Sequence, residues 1–126
     1  MLWNSHDKRK IGQHYEQLAK RYLQQHGLQW LASNVSSRFG EIDLVMQDND
    51  CIVFVEVKFR NNNDYGLAAE MVNSSKQQKI IKTAQIFLQK QRLNEYNTHC
   101  RFDVVSITGK ESTPTICWHK NAFYGE

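Results

Sequence analysis

The sequence has little of what marks secreted, membrane-spanning or unstructured proteins. Its 126 residues include one proline and six glycines, so the composition indicates neither a linker nor a low-complexity tail. The longest apolar run, from Ile52 to Val55, is far too short to cross a bilayer. The first ten residues, MLWNSHDKRK, lack the apolar stretch of a signal peptide. We therefore expect a single cytoplasmic domain over residues 1–126, with no membrane partner.

Cysteine is scarce, and the spacing of the cysteines indicates no cross-link. Cys51, Cys100 and Cys117 are isolated, and an odd count without a CxxC pair argues against a disulfide framework or a zinc knuckle. Three reduced thiols are typical of a cytosolic protein. The thiols therefore predict no metal site.

Charge of one sign does not dominate the chain either. Charged residues make up 23% and hydrophobic residues 40%, as in ordinary soluble domains. The net charge of +3 permits a nucleic-acid partner without requiring one.

The sequence does contain alternating helix and strand patterns. Two stretches have the period of amphipathic helices, residues 8–26 and residues 75–92. Ser75 and Gln78 match a capping box at the start of the second. The predicted strands cover residues 29–37, 41–46, 51–60, 102–108 and 113–119, and residues 61–74 are predicted to form a mobile loop. This order predicts an α/β domain in which helices pack on a mixed sheet.

The predicted strand at residues 51–60 carries charges where a buried strand should be apolar. One of its faces is entirely apolar. On the other face the apolar side chains give way to Glu56, Lys58 and Arg60 near one end. Because central strands are normally apolar on both faces, these charges indicate a function rather than a contribution to stability.

An acid in the preceding strand joins this charged face through a predicted hairpin. If Asn49 and Asp50 form the turn, Asp43 faces Glu56 directly. A two-residue turn that begins one residue earlier, or a four-residue turn, places Glu56 opposite Glu41 and diagonal to Asp43. Direct neighbours lie ~5 Å apart and diagonal ones ~7–8 Å apart. All three turns place the acids on one face, whereas a three-residue turn would separate them.

Carboxylates this close repel one another, and burying them without a partner is costly. Lys58 offers one compensating charge, and a divalent cation is the other candidate. Oxygen ligands suit Mg²⁺ or Mn²⁺. The cation would make a water nucleophilic for phosphodiester hydrolysis, while Lys58 would orient that water and offset developing charge rather than act as a general base. Glu16, on the edge of the buried face of the first helix, is a further inward candidate, and a solvent-facing glutamate is the alternative.

Phosphate contacts are expected from donors near these acids. Arg60 lies two residues beyond Lys58 on the same face, and Arg38 precedes the strand that carries Asp43. Lys76 and Gln77 fall in the first turn of the second helix, where amide groups and the helix dipole favour anions. Each of the four is a candidate nucleic-acid contact, with a solvated surface role as the alternative.

The segments GEIDLV and VFVEVKFR together resemble the core of the PD-(D/E)xK nuclease superfamily. With the segments GQHYEQLAKRYL, RFDVVSI and HKNAF, the chain resembles the YraN family of small bacterial proteins over about residues 11–124. The order and spacing of these pieces make the resemblance specific. Members of that family are similar to archaeal Holliday junction resolvases and are usually described as predicted endonucleases.

The resemblance implies a restriction-endonuclease-like fold, a mixed β-sheet flanked by α-helices. It also implies that Asp43 takes the place of the superfamily's first acid and that Glu56 and Lys58 take the E-x-K positions. Glu16 matches the helix-one acid that helps the metal site in the resolvase-like branch, and Glu41 is an accessory candidate. Two departures are Ile42, where a proline often stands, and Ile81, where a second branch has the tyrosine of a QxxxY motif.

These observations predict an endonuclease that needs Mg²⁺ or Mn²⁺ and cleaves nucleic acid, with DNA as the expected substrate and branched or repair intermediates as the expected form. Its catalytic set is Glu16, Asp43, Glu56 and Lys58, and its metal ligands are Asp43, Glu56 and Glu16. A homodimer is expected if four-way junctions are cut, because two symmetric cuts need two sites. The alternatives are an inactive nucleic-acid-binding protein and an interaction module of a repair complex. The intact four-residue set favours the nuclease.

Overall fold

Two helices and five strands follow one another along the chain. The computed structural model describes residues 5–60, 72–94, 96–109 and 113–124, with side chains from residue 9 onward. The elements are α1 Ser5–Gln25, β1 Gln29–Ser37, β2 Gly40–Asp48, β3 Cys51–Arg60, α2 Ser74–Lys90, β4 Cys100–Thr108 and β5 Thr115–Phe123. Neither described helix has both the length and the hydrophobicity that crossing a membrane requires.

The five strands form one mixed sheet in the order β1-β2-β3-β4-β5. Strands β3 and β4 are parallel, and the other three neighbouring pairs are antiparallel. A parallel pair needs a crossover connection, and α2 lies in the connection between β3 and β4. The mixed sheet between two helices confirms the predicted α/β class and is consistent with a restriction-endonuclease-like fold.

Strand β3 lies at the centre of the sheet and is apolar on both faces along its first half. Val53 and Val55 pack in the cluster on the α1 side, with Tyr15 and Leu23. Ile52 and Phe54 pack in the cluster on the α2 side. The predicted separation of the two faces of this strand is confirmed, and it leaves the charged residues at the end where β3 leaves the core.

The hairpin between β2 and β3 turns at Asn49 and Asp50. Asn49 has a φ of 56°, a left-handed conformation that asparagine adopts more readily than most residues. The paired residues run from Asp48 opposite Cys51 to Leu44 opposite Val55. Of the registers left open by the sequence, this is the one that sets Asp43 opposite Glu56.

Strand β2 is irregular at Asp43, where its side chains do not alternate strictly between the two faces of the sheet. Ile42 belongs to the cluster on the α2 side, whereas Leu44, two residues later, belongs to the cluster on the α1 side. Residues two apart in a regular strand would lie on one face. Asn34 on β1, between the pairs that join Ser33 to Leu44 and Val35 to Ile42, is also left-handed, with a φ of 52°. Because of this distortion, the residues on either side of Asp43 pack on opposite faces of the sheet.

The start of α2 differs from the prediction. Asn73, not Ser75, is the N-cap: it is extended, and its side chain accepts a 2.8 Å hydrogen bond from the backbone N–H of Lys76. Ser74 and Ser75 lie within the first turn, so the predicted capping box is wrong. An asparagine supplies the same kind of acceptor oxygen as a serine, and the helix therefore begins earlier.

Other boundaries shift by a few residues. Helix α2 ends at Lys90 rather than at residue 92, and β5 continues to Phe123 rather than stopping at residue 119. The extra length of β5 is held by Asn121, whose N–H donates to Asp103 at 3.0 Å. Of the loop predicted over residues 61–74, residues 61–71 lie outside the described part of the chain.

Candidate metal-binding site

Asp43 lies where the β2–β3 ladder ends. The last paired residues are Leu44 and Val55, and beyond them the backbone N–H of Val57 donates to Asp43 Oδ2 at 2.8 Å. The carboxylate thus replaces a main-chain acceptor across the widening gap. In this position its carboxyl group is close enough to Glu56 and Glu16 to raise the pKa of both.

Glu56 is the most buried acid of this group, with 6% of its surface exposed. Its Oε2 atom is buried without a hydrogen-bond partner among the described residues, and the Lys76 ammonium nitrogen stands 3.8 Å away. Burial, followed by the neighbouring Asp43 carboxyl, raises the pKa of Glu56 to about 8, while Lys76 and Lys58 oppose the shift. A buried oxygen left unpaired in this way fits a ligand of a cation.

Glu16 projects inward from α1, so the solvent-facing alternative is wrong. Burial, then the charges of Asp43 and Glu41, raises the pKa of the half-buried Glu16 carboxyl to about 7, and a hydrogen bond from Asn34 opposes this. Glu16, Glu41 and Asp43 each offer a carboxylate oxygen within 4.8 Å of the others. Glu41, predicted as an accessory, lies within this cluster.

Asn34 holds two of these acids together, and sequence reasoning missed it. With its amide nitrogen turned toward the acids, it donates to Glu41 Oε1 at 2.9 Å and to Glu16 Oε1 at 3.0 Å. Its left-handed backbone conformation brings the amide to this place. The one available signal was an asparagine inside a predicted strand, where that residue is disfavoured.

The group has the donors that a hard divalent cation requires. Three clustered carboxylates and the unpaired Glu56 oxygen supply oxygen ligands only, as Mg²⁺ or Mn²⁺ prefers. Of the three predicted ligands, Glu16 and Asp43 lie in this group with Glu41. Glu56 lies outside it and is tied to it through Asp43. Repulsion among the four acids is what a bound cation would relieve.

Two cavities of about 400 Å³ give access to the acids from different sides. One is lined by Glu41 and Asp43 together with Lys76 and Lys79 of α2. The other is lined by Glu16, Glu41 and Asn34 on the α1 side. A ligand that enters the first cavity would meet cationic groups and then the acids.

The predicted cationic and polar residues differ in how close they come to the acids. Lys58 is half-buried, lies two residues beyond Glu56 on β3, and is near enough to lower the pKa of that carboxyl. Lys76 approaches Glu56 directly. The Nε of Arg60 is buried and has no hydrogen-bond partner among the described residues.

The remaining two predicted contacts have other neighbours. Gln77 donates from its side-chain nitrogen to the carbonyl of Val72 at 2.8 Å, so its amide fastens the chain that enters α2. Arg38 is exposed on the turn between β1 and β2, with its guanidinium carbon 4.8 Å from the centre of the Phe39 ring. The structure therefore brings Glu16, Glu41 and Asp43 together, with Glu56 beside Asp43 and Lys76 beside Glu56.

The fold and this cluster define a mixed α/β protein with a candidate cation site where the β2–β3 ladder ends. The chain belongs to the uncharacterised protein family UPF0102, whose model matches residues 15–107. The matched range includes every acid of the cluster. Membership in this family confirms the predicted YraN-like relationship.

Relatives in several bacteria match nearly the whole chain. A UPF0102 protein of Vibrio vulnificus is 53% identical over 115 residues, which cover 91% of this chain and 93% of the relative. A UPF0102 protein of Vibrio campbellii is 51% identical with the same coverage. A UPF0102 protein of Colwellia psychrerythraea is 43% identical over 129 residues, which cover 98% of this chain and all of the relative. Activity must be argued from the site, because fold and family do not carry it alone.

Proposed function

We propose that this protein is a metal-dependent endonuclease that hydrolyses phosphodiester bonds of nucleic acid, with DNA as the substrate. The observation that carries the proposal is Glu56, a buried carboxylate with an unpaired oxygen that contacts a second acid, Asp43. Structural acids are normally satisfied by donors. A buried acid with an unsatisfied oxygen, in contact with a second acid that lines an open cavity, supports a site for a cation and a substrate.

Asp43, Glu56 and Glu16 are the proposed ligands, and Glu41 shares the cluster. Mg²⁺ or Mn²⁺ bound there would supply a water of lowered pKa and polarise a phosphoryl oxygen. The main-chain N–H of Val57 orients Asp43, and the amide of Asn34 orients Glu16 and Glu41. These donors hold the ligand oxygens in place before the cation arrives.

Lys58 and Lys76 supply positive charge on the β3 and α2 sides of Glu56. Lys58 would orient the attacking water and offset the negative charge that develops on phosphorus. Lys76, whose side chain is 45% exposed, can turn from Glu56 to a substrate phosphate once a cation neutralises that acid. The cytoplasm is the proposed compartment, since Cys51, Cys100 and Cys117 are free thiols.

A thermal titration with Mn²⁺ tests the cation site. The wild-type melting temperature should rise with Mn²⁺, because a ligand that binds only the folded state stabilises it. D43N and E56Q should lose this rise. D50N, in the exposed hairpin turn, is the matched control and should keep it. An equal rise in wild type, D43N and E56Q would refute the site.

Cleavage assays test the activity itself. Branched, single-stranded and duplex DNA are incubated with the protein in Mg²⁺ and in Mn²⁺, with D43N as the blank. Metal-dependent nicking by wild type and not by D43N is the expected result. Tight binding without nicking in both metals would contradict the nuclease and favour an inactive nucleic-acid-binding protein. Paired symmetric cuts in a four-way junction would require a homodimer.

A further inference from the structure

Helix α2 presents an exposed side that carries positive charge and no negative charge. Its 17 residues, from Ser74 to Lys90, contain no aspartate or glutamate. Lys76, Lys79 and Lys82 follow one another at three-residue spacing and are all exposed. Residues three apart are neighbours on a helix surface, so these ammonium groups form a continuous row.

The turn between β1 and β2 is fastened against this row. Ser37 Oγ and Thr83 Oγ1 form a 2.8 Å hydrogen bond between the turn and the helix. A side chain at Gly40 would approach the Cβ of Lys79 to 3.6 Å. The turn and the first half of α2 thus form one surface, whose charged members are Arg38, Lys76, Lys79 and Lys82. We call these four residues the α2 basic strip.

Phe39 brings two members of the strip together from separate elements. The guanidinium carbon of Arg38 lies 4.8 Å from the centre of the Phe39 ring, and the ammonium nitrogen of Lys82 lies 5.0 Å from it. Cation–π attraction offsets part of the repulsion between the two cations. Within the described ranges, no ion pair joins Arg38, Lys79 or Lys82 to a carboxylate. Phe39 therefore positions the Arg38 and Lys82 side chains without neutralising their charge.

The strip and the acids share one cavity. Phe39, Lys76 and Lys79 line the same space of about 400 Å³ as Glu41 and Asp43. From Lys76 to Lys82 the helix rises about 9 Å at about 1.5 Å per residue. That length matches two to three phosphates of a strand whose rise is about 3.4 Å per nucleotide.

We propose that the α2 basic strip binds the phosphate backbone of the nucleic-acid strand that leads into the acid cluster, with Lys79 and Lys82 as phosphate contacts and Phe39 as a positioning residue. That the nucleic-acid strand ends at the acid cluster rests on the proposed function. Its binding along the α2 basic strip requires no cleavage. A row of cations in which Arg38, Lys79 and Lys82 have no ion-pair partner among the described residues, and which leads to a proposed cation site, matches a polyanion whose phosphate is to be cut.

Binding measured in EDTA separates this proposal from catalysis. Fluorescence anisotropy with labelled single-stranded and duplex oligonucleotides is followed from 50 to 200 mM salt. The variant is K79Q/K82Q, and the matched control is K20Q/K90Q, which removes the same charge from the second half of α1 and from the end of α2. Glutamine preserves helix propensity, and thermal unfolding confirms that all proteins are folded.

K79Q/K82Q should weaken binding at every salt concentration and reduce the slope of log affinity against log salt by about 1.4 for a single strand and about 1.8 for a duplex. K20Q/K90Q should leave affinity and slope close to wild type. Equal behaviour of the two double variants would overturn the strip. If K79Q/K82Q binds oligonucleotides as wild type does but loses binding to anionic lipid vesicles, the assignment of the strip to nucleic acid would also be overturned.

Two further measurements test whether Phe39 positions the cations and whether binding along the strip depends on the acid cluster. F39L should weaken binding several-fold with little change of salt slope, because no charge is lost, and F39W should restore it. If F39W fails where F39L weakens binding, the positioning role is wrong. D43N should bind in EDTA at least as well as wild type. A further outcome is that K79Q/K82Q causes the same loss of affinity in the D43N background while wild type cleaves no DNA. That pair of results would support phosphate binding by the α2 basic strip and refute the nuclease.

Discussion

Asp103 and Glu56 are buried carboxylates on the neighbouring strands β4 and β3, and their surroundings are opposite. Asp103 is fully buried, and both of its oxygens are satisfied. Arg101 Nε donates to both at 3.2 Å, Trp118 Nε1 donates at 2.9 Å, and the Asn121 N–H donates at 3.0 Å. Glu56 has another acid beside it, an unpaired oxygen and a lysine nitrogen 3.8 Å away.

The difference separates an acid that stabilises the fold from one that the fold holds for another purpose. Asp103 joins β4 to β5 and, through Arg101 and its 3.0 Å contact to Asp48, to the β2–β3 hairpin. Asp103 and Arg101 therefore form a structural ion pair. Glu56 accepts no such set of hydrogen bonds from the described residues, and its burial beside Asp43, with Lys76 at 3.8 Å as an ion-pair partner, costs stability that a bound cation would recover.

The largest expected effect is on the free energy of unfolding. D103N should lower it by about 3–5 kcal/mol, since the buried amide offers one acceptor oxygen to donors that share two in wild type, and Arg101 keeps only its ion pair with Asp48 among the described residues. E56Q in EDTA should be neutral or stabilising, because it removes a repulsive buried acid. Chemical denaturation of both variants measures the contrast. A destabilisation of E56Q equal to that of D103N would mean that Glu56 is a structural acid too.

Cleavage should reverse the contrast between the two acids. E56Q and D43N are expected to lower the rate about 100-fold or more, because each removes charge that positions the cation and the transition state. D50N, an exposed acid near the hairpin turn, is the control and should cut as wild type does. Rates are taken from single-turnover cleavage of the best substrate. A wild-type cleavage rate in E56Q would show that the buried Oε2 atom of Glu56 has no part in catalysis.

The third prediction concerns pH. The raised pKa values of Glu16, about 7, and Glu56, about 8, mean that the folded state holds protons that the unfolded state releases near 4.5. Metal-free protein should therefore lose stability as pH rises from about 5 to about 8, by something of the order of 2 kcal/mol. Mn²⁺ should abolish the decline, because it replaces those protons. Melting temperatures across this range, with E56Q for comparison, measure it. A flat profile for wild type in EDTA would contradict the prediction.

The smallest effect is expected at Asn34. N34G keeps the left-handed backbone and removes the amide that orients Glu16 and Glu41, so Mn²⁺ affinity should fall about tenfold. N34A should lose the same affinity and a further ~1–2 kcal/mol of stability, because alanine is strained at this φ. Titration calorimetry and denaturation separate the two effects. Unchanged affinity in N34G would show that the amide does not organise the acids.

Periodicity predicted the two apolar faces of β3 and the charged end at Glu56 because a strand alternates wherever its ladder is regular. It did not choose among the possible turns, since all the residues between Gln47 and Asp50 are good turn formers. The left-handed Asn49 settles the register in the fold. The same limitation moved the cap of α2 from Ser75 to Asn73, because both residues have suitable side chains.

The sequence by itself determined the α/β class, the apolar central strand and the identity of the acids, because each follows from local period and residue type. The tertiary structure alone decided that Asp43 enters the gap beyond Leu44, that Asn34 links α1 to β2, and that the Glu56 oxygen stays unpaired. Those facts depend on contacts among elements distant in the chain and on a strand that departs from its period. No local pattern encodes such a departure, because packing from both sides of the sheet produces it.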